Sequence, residues 1–179
     1  RSLVGSEMCI RDRWCTLWLG ECWRIARDGA PLMVFTDWRQ LPALSDAVQA
    51  AGWKWLGIVP WDKRSARPQM GRFRQQCEYV LFASKGRIIE HARSCLPGVY
   101  SYPVVAARKV HLTSKPVPLI ENLLAVAAAQ ATVLDPFMGG GSVGEACIRT
   151  GRGYIGMELS PEYYEISRSR LTAVLAERT

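Results

Sequence analysis

Near the end of the chain, a glycine-rich turn stands between two apolar segments, and this arrangement limits the possible folds more than any other feature. Gly139, Gly141 and Gly144 have the spacing G-x-G-x-x-G, after the run ATVLDPF and before a predicted helix and the run YIGMEL. Glycines at this spacing let the backbone approach a ligand closely, and the first turn of the helix offers N–H groups without partners. The pattern predicts a strand, a turn, a helix and a second strand parallel to the first.

Two acidic residues end these predicted strands. Asp135 stands at the end of the first strand, and Glu158, 23 positions later, stands at the end of the second. An acid in the second position can accept hydrogen bonds from ribose hydroxyls. A carboxylate at Asp135 would repel a pyrophosphate but would attract the ammonium group of a methionine moiety. The residues therefore favour S-adenosylmethionine as the ligand, and a dinucleotide-dependent oxidoreductase stays open as an alternative.

Helices and strands are predicted to alternate along the rest of the chain. The spacing of apolar residues predicts helices at 16–27, at about 42–51, from residue 116 and at 160–177. Near-continuous apolar runs predict strands at 31–38, 53–61 and 77–86. This alternation predicts an α/β fold with a mostly parallel, doubly wound sheet.

A family resemblance extends over nearly the whole chain from Trp14 onward. The permuted, beta-class DNA amino-methyltransferases have the cofactor motif D-P-F-x-G-x-G, which is similar to VLDPFMGGGSVGEACIRTGRGYIGMELSPEYYEIS here. The family's H-P-T-Q-K-P segment is similar to HLTSKPVPLIENLL, in which Lys115 and Pro116 match whereas Leu112 and Ser114 depart. Phage and bacterial members also look like the runs GECWRIARDGAPLMVFTDW and WDKRSARPQMGRFRQQCEYVLFASKG.

This resemblance implies a Rossmann-like fold, incomplete at its N-terminus, that uses S-adenosylmethionine to methylate the exocyclic amine of adenine or cytosine in double-stranded DNA. The residues that would hold the methionine end of the cofactor are Asp135, Phe137, Gly139 and Gly141, and Glu158 would hold its ribose. The other cofactor-binding residues would be Ser142 and, at a neighbouring helix, Lys115 and Pro116. The resemblance is compatible with a cognate restriction endonuclease system and with phage self-protection, and the sequence does not decide between these settings. A methyltransferase of RNA or of a small molecule stays open as an alternative.

The resemblance also divides the chain into segments. Residues 14–179 are expected to form one methyltransferase domain, with a catalytic half at 14–86, a loop or small target-recognition insertion at 87–112 and a cofactor half at 113–179. The opening RSLVGSEMCIRDR has no helical or strand periodicity and resembles a translated sequencing adapter. We therefore expect residues 1–13 to be non-native or disordered, and the natural N-terminus to have been cut near Trp14.

No catalytic residue is assigned from the sequence. The family's D-P-P-Y or similar motif does not occur in the chain and is expected upstream of Trp14, so the chain as printed is expected to be inactive or nearly so. Asp37 is the only acid at a predicted strand end in the catalytic half, and it is more typical of a polar loop or a helix cap. Methylation at carbon 5 of cytosine is disfavoured because its cysteine nucleophile typically follows proline, and no Pro-Cys pair occurs.

The positive charge of the chain is concentrated in one segment. Basic residues outnumber acidic ones by 23 to 16, and residues 63–93 hold eight of them against Glu78 and Glu90. The segment combines charge that can neutralise phosphates with aromatic rings that could stack on bases. These rings are Trp61, Phe73, Tyr79 and Phe82. Nucleic acid is the expected partner, with phosphate contacts from Lys63, Arg67, Arg72 and Arg74.

Membrane and metal-binding classes are disfavoured. The longest apolar candidate, at 119–134, is interrupted by Glu121, Asn122 and Gln130, so it does not reach the length of a membrane span. The six cysteines form no C-x-x-C pair, and with two histidines they provide no zinc-site spacing. Reduced thiols are expected, in a bacterial protein or a phage-encoded protein of the host cytoplasm.

Overall fold

The computed structural model describes residues 3–65, 68, 70–92, 95–104 and 115–177, with the backbone alone for residues 3–12. The chain divides into two compact units. Unit 1 comprises Arg1–Glu90 and Pro97–Ser101, and unit 2 comprises His91–Leu96 and Tyr102–Thr179. The predicted catalytic half therefore lies in unit 1, and the predicted cofactor half lies in unit 2.

Unit 1 contains a four-stranded sheet. Its described elements are α1 (Leu3–Ile25), β1 (Pro31–Thr36), α2 (Leu41–Ala50), β2 (Lys54–Asp62), β3 (Cys77–Ser84) and β4 (Tyr100–Ser101). The strand order is β1-β3-β2-β4, in which β3 runs antiparallel to β1 and β2, and β4 runs parallel to β2. The α/β class is confirmed, but the parallel pairing predicted for the sheet is wrong for β3, which is antiparallel to both of its neighbours. A continuous apolar run indicates burial and leaves the direction of the strand open.

The core of unit 1 joins both helices to the sheet. Leu44 and Val48 on one face of α2 pack with Leu19 of α1 and Leu81 of β3. Burial of such side chains contributes about 1.5–3 kcal/mol each to folding. The buried indole of Trp53 belongs to the same cluster, and its N–H donates to the carbonyl oxygen of Leu19 at 3.0 Å. The polar end of this ring is therefore satisfied inside the core.

Helix α1 begins earlier than the sequence predicted. It starts at Leu3, so its backbone includes most of the opening segment for which disorder or a non-native origin was expected. The structure thus has helical backbone from Leu3 onward, and the non-native origin of residues 1–13 stays a hypothesis. Gly29, the predicted helix stop, lies beyond the end of α1 with φ +77°, and its N–H donates to the carbonyl oxygen of Lys85 at 2.8 Å. This glycine therefore connects the segment before β1 to the end of β3.

Unit 2 contains the predicted strand, turn, helix and strand. Its described elements are α3 (Val117–Leu124), β5 (Thr132–Asp135), α4 (Ser142–Arg149), β6 (Gly153–Gly156) and α5 (Pro161–Ala176). Strands β5 and β6 are parallel, as predicted, with Asp135 opposite Gly156. β5 ends before Pro136, which has no N–H to donate to a neighbouring strand.

The helices of unit 2 are stabilised by packing of their apolar faces and by a capping residue. Ile120 and Leu124 of α3 pack with Ala146 and Cys147 of α4 in a buried cluster. The predicted cap of α5 is confirmed, because the side chain of Ser160 accepts a hydrogen bond from the N–H of Tyr163 at 3.4 Å. Of the predicted loop or insertion at 87–112, residues 93–94 and 105–112 lie outside the described residues.

In the part of the chain that the structure describes, no helix is both long and apolar enough to cross a membrane.

Candidate functional site

The glycine turn, Pro136–Gly141, connects β5 to α4. Gly139 and Gly141 have φ angles of +49° and +75°, and Gly141 is the N-cap of α4. The N–H of Gly141 donates to the carbonyl oxygen of Met138 at 2.8 Å. A Cβ atom on Gly141 would lie 2.9 Å from the Cβ of Ser167 in α5. The backbone angle and the close approach to α5 therefore both require glycine at this position.

A partly buried arginine of α5 is hydrogen-bonded to the glycine turn. Arg170 donates from Nη1 to the carbonyl oxygen of Gly140 at 2.8 Å and from Nε to Oε2 of Glu145 at 2.5 Å. The other carboxylate oxygen of Glu145 accepts from Nε of Arg149 at 2.8 Å. Burial raises the pKa of Glu145, but hydrogen bonds and charges from Arg170 and Arg149 outweigh it and lower the pKa below its ordinary value. Charge-assisted hydrogen bonds thus connect the turn, α4 and α5.

Asp135 ends β5 directly before the glycine turn. Its Oδ1 accepts from the N–H of Phe137 at 3.1 Å, and its Oδ2 accepts from the hydroxyl of Tyr154 at 3.2 Å. Burial raises the pKa of Asp135, these two hydrogen bonds lower it, and the charge of Glu158 raises it, with a net increase. A cation bound next to Asp135 would therefore stabilise the charged form of a poorly hydrated carboxylate.

Glu158 ties the segment after β6 to the glycine turn. Its Oε2 accepts from the N–H of Gly139 and its Oε1 accepts from the N–H of Ser160, both at 2.9 Å. Each carboxylate oxygen has two lone pairs and can accept a further hydrogen bond. Because Asp135 and Glu158 follow neighbouring parallel strands, they stand at the same edge of the unit 2 sheet, where ligands bind in open α/β sheets.

The other residues predicted to line the cofactor also lie in unit 2. The side chain of Phe137 is exposed, and Ser142 is buried at the first position of α4. Pro116 is the N-cap of α3, and half-buried Lys115 precedes it. Residues 111–114, which complete the segment similar to H-P-T-Q-K-P, lie outside the described residues. The structure gives the positions of these residues, and their contacts with a cofactor stay predictions.

The donor and acceptor groups of this edge fit S-adenosylmethionine. The segment from Asp135 to Ser142 contains no basic side chain, and the carboxylates of Asp135 and Glu158 flank the glycine turn. The charge of Asp135 would repel a pyrophosphate, whereas an ammonium group would find an acceptor there and ribose hydroxyls would find one at Glu158.

Two side chains of this site were missed by the sequence motifs. Tyr154 reaches Asp135, and Arg170 reaches the glycine turn. Tyr154 is opposite Val133 in the parallel pair, so it lies on the same face of the sheet as Asp135, two residues further along. The position of a tyrosine on that face was the available signal for this contact. No motif indicated Arg170, which lies 25 positions after its partner Glu145 in the sequence.

The predicted DNA-binding residues belong to the basic loop, residues 63–76, which connects β2 and β3 in unit 1. Arg72 and Arg74 are exposed, and Arg67 lies outside the described residues. Lys63 is partly buried, with its Nζ 3.3 Å from Oε1 of Glu78. The charge of Lys63 is therefore paired with Glu78, and its contact with phosphates stays a prediction.

Only part of the predicted aromatic surface is accessible. Trp61 is 2% exposed and packs edge-to-face against Phe35 in unit 1, so the predicted stacking role is wrong for this ring. Phe73 is 92% exposed, between Arg72 and Arg74. A base could reach the ring of Phe73 without any change in the core.

Asp37 lies in a loop and accepts backbone hydrogen bonds there, as the sequence favoured. Its Oδ1 accepts from the N–H groups of Arg39 at 2.7 Å and Gln40 at 3.2 Å, directly before α2. The side chain therefore stabilises the turn that leads into this helix.

Comparisons with known proteins give one family. The sequence profile described as DNA methylase matches residues 91–169. The methylase YubD of Escherichia coli is 31% identical over 179 residues, which cover 97% of this chain and 74% of YubD. The type II methyltransferase M.HinfI of Haemophilus influenzae is 27% identical over 91% of this chain, and the aligned part is 52% of M.HinfI, about half its length.

A solved structure, the complex of M1.HpyAVI with SAM, has a similar fold. Its TM-score is 0.74 at 24% sequence identity, and the match covers 87% of this chain and 81% of that one. This likeness confirms the predicted Rossmann-like methyltransferase fold.

Proposed function

Because this chain belongs to the DNA methylase family, we propose that unit 2 binds S-adenosylmethionine for methylation of an exocyclic amino group of adenine or cytosine in DNA. The observation that carries this proposal is the pair of carboxylates at one edge of the sheet, each hydrogen-bonded to the glycine turn or its flank. That M1.HpyAVI was solved as a complex with SAM is consistent with this assignment. Membership of the DNA methylase family favours a methyltransferase over a dinucleotide-dependent oxidoreductase.

Each residue at this edge has a role in the proposal. Asp135 pairs with the ammonium group of the methionine moiety, with Phe137 and Ser142 beside it, and Glu158 accepts the ribose hydroxyls. Gly139 and Gly141 allow the backbone to approach the ligand, since neither has a side chain in the way. Lys115 and Pro116 flank the cofactor from the start of α3.

The chemistry requires positioning more than activation. S-adenosylmethionine supplies a methyl group that its sulfonium already activates for attack by an amine. The protein must therefore hold the two reactants in line. An acceptor for the hydrogens of the amine and an aromatic ring for an extruded base are also needed. The printed sequence has no D-P-P-Y type motif to provide them, so we expect this chain to bind the cofactor with little or no transfer.

The basic loop of unit 1 is proposed to contact double-stranded DNA. Arg72 and Arg74 are exposed and can neutralise phosphates, and Phe73 between them offers a ring for stacking. Arg67 is proposed for the same role from its position in the loop. Lys63 contributes less because Glu78 holds its ammonium group.

The cellular setting is proposed from the relatives. M.HinfI is named a type II methyltransferase, and such an enzyme fits a partnership with a restriction endonuclease. We place the activity in the bacterial cytoplasm, for a bacterial protein or for a phage-encoded protein that acts in its host.

Labelled S-adenosylmethionine tests the proposal on the full chain. Ultraviolet cross-linking of the methyl-labelled cofactor should label the protein, and excess NADPH should leave the labelling unchanged. In a parallel incubation with duplex DNA or duplex RNA, gel-shift measurements should give tighter binding to DNA. Labelling that NADPH abolishes, or binding to RNA alone, would contradict the proposal.

A further inference from the structure

The ring of Tyr154 lies in a slot beside two glycines, Gly144 and Gly156. A Cβ atom on Gly144 of α4 would lie 2.7 Å from Cε1 of this ring. A Cβ atom on Gly156, two residues along the same strand, would lie 2.7 Å from Cε1 and 2.6 Å from the hydroxyl oxygen. Distances this short require the ring to move, so the glycines at both positions leave the space that Tyr154 occupies.

From this slot the hydroxyl of Tyr154 reaches Asp135. It donates to Oδ2 at 3.2 Å, while the N–H of Phe137 donates to Oδ1 at 3.1 Å. The carboxylate is therefore held at both oxygens, by one donor from β6 and one from the glycine turn. Two hydrogen bonds at opposite oxygens fix the plane of the carboxylate as well as its position.

The surroundings of Asp135 make this second donor important. Burial raises the pKa of Asp135, the hydrogen bonds from Phe137 and Tyr154 lower it, and the charge of Glu158 raises it. Burial and the charge of Asp135 together raise the pKa of the Cys147 thiol in α4 to about 11, so the thiol is neutral near pH 7. Burial and the charge of Asp135 raise the pKa of Tyr154, which keeps its proton available for donation.

We propose that Tyr154 is a positioning residue that orients Asp135 and keeps it charged for the ammonium group of the cofactor, with Gly144 and Gly156 forming the slot that allows it. This inference rests on the proposed binding of S-adenosylmethionine. The inference gives Gly144, the third glycine of the G-x-G-x-x-G pattern, a second role. Its missing side chain leaves room for the tyrosine ring as well as for close packing of α4 against the sheet.

Replacement of one hydroxyl tests the inference on the full chain. The variant Tyr154→Phe keeps the ring in the slot and removes the donor. It should weaken S-adenosylmethionine binding about tenfold at pH 7.5, the size expected for one hydrogen bond to a charged group. Tyr102→Phe is the matched control, since its hydroxyl is hydrogen-bonded to Asn122 at 2.8 Å rather than to a carboxylate. The control should bind as the wild type does.

The pH dependence of binding separates positioning from a general structural effect. Without the Tyr154 donor, the carboxyl of Asp135 should take up a proton at a higher pH. The affinity of Tyr154→Phe should therefore fall at a higher pH than that of the wild type when the pH is lowered from 8 to 5. A variant that binds as the wild type does at every pH, or a parallel loss without a shift of the pH profile, would overturn the inference.

A measurement without cofactor keeps the two proposals apart. The carboxyl-carbon NMR signal of Asp135, titrated in the ligand-free chain, should give a higher pKa in Tyr154→Phe than in the wild type. If the wild type binds no S-adenosylmethionine, the proposed function fails, and the titration still tests the contact of Tyr154 with Asp135. An unchanged pKa of Asp135 would overturn the positioning role whatever the chain binds.

Discussion

The glycine turn of unit 2 and the basic loop of unit 1 are both proposed to bind ligands, but they are built in opposite ways. The glycine turn packs closely against Ser167, donates a hydrogen bond to Glu158 and accepts one from Arg170. In the basic loop, Arg72, Phe73 and Arg74 extend into solvent. Unit 2 thus presents a site with its groups already in place, whereas Arg72, Phe73 and Arg74 present charge and an aromatic ring to solvent.

This difference matches the proposed ligands. A small cofactor has a fixed arrangement of charges, and groups held in advance bind it without a further cost of ordering. Phosphates repeat along DNA, so an exposed arginine can find one from many positions and contributes charge rather than shape. Substitutions in the glycine turn should therefore affect folding and cofactor binding together, and substitutions in the basic loop should affect DNA binding alone.

The largest effect is expected from Gly141→Ala. A side chain there meets an unfavourable φ of +75° and the Cβ of Ser167 at 2.9 Å. We expect the free energy of unfolding to fall by about 2–4 kcal/mol, from the left-handed backbone and from overpacking, in chemical denaturation. Gly151→Ala is the matched control, because Gly151 has φ +73° with no atom within 4 Å, and it should show only the backbone part. Equal losses in both variants would mean that the contact with α5 is unimportant.

A smaller loss is expected from Arg170→Ala. The substitution removes the donors to Gly140 and Glu145, so the free energy of unfolding should fall by about 2 kcal/mol, the range for hydrogen bonds to charged groups. Cofactor binding should weaken with it. Arg168→Ala on the same helix is the control, since Arg168 forms an exposed pair with Glu165 and should change little. Unchanged cofactor binding in Arg170→Ala would mean that the glycine turn keeps its binding conformation without the hydrogen bonds of Arg170.

The pH dependence of stability sharpens the same point. Folding lowers the pKa of Glu145. Glu145 therefore stabilises the fold fully above its unfolded-state pKa of about 4.3, and this stabilisation is lost as the pH falls through its folded-state pKa. Glu145→Gln should lower the free energy of unfolding by about 1 kcal/mol at pH 7 and show a shallower acid transition. Glu162→Gln, an exposed acid of α5, should keep the wild-type profile. Identical acid transitions in both variants would contradict the role of the arginine network.

The smallest effect on the fold is expected in the basic loop. Arg72→Ala and Arg74→Ala should each lower the salt dependence of DNA binding by about one phosphate contact, with an unchanged thermal midpoint. Lys63→Ala should change the salt dependence less, because Lys63 is paired with Glu78. Fluorescence anisotropy with a duplex at several salt concentrations measures these slopes. A lower thermal midpoint in Arg72→Ala would indicate that the loop is part of the fold, and the contrast with unit 2 would fail.

The sequence predicted local structure well where neighbouring residues determine it. The strand, glycine turn and helix around Asp135 and the cap at Ser160 depend on turn conformations and capping groups within a few positions. The antiparallel direction of β1 and β3 depends on pairing between distant segments, which an apolar run does not record. The contact of Tyr154 with Asp135 likewise joins residues 19 positions apart, and only the register of β5 and β6 brings them together.

Isothermal titration of the full chain with S-adenosylmethionine tests the account most directly, with Asp135→Asn and Glu158→Gln compared against the control Glu162→Gln. We predict saturable binding by the wild type and the control, binding weakened at least about tenfold in the other two variants, and no heat with NADPH. Saturable binding of NADPH, or S-adenosylmethionine binding that neither Asp135→Asn nor Glu158→Gln weakens, would contradict the assignment of the cofactor to this edge of unit 2.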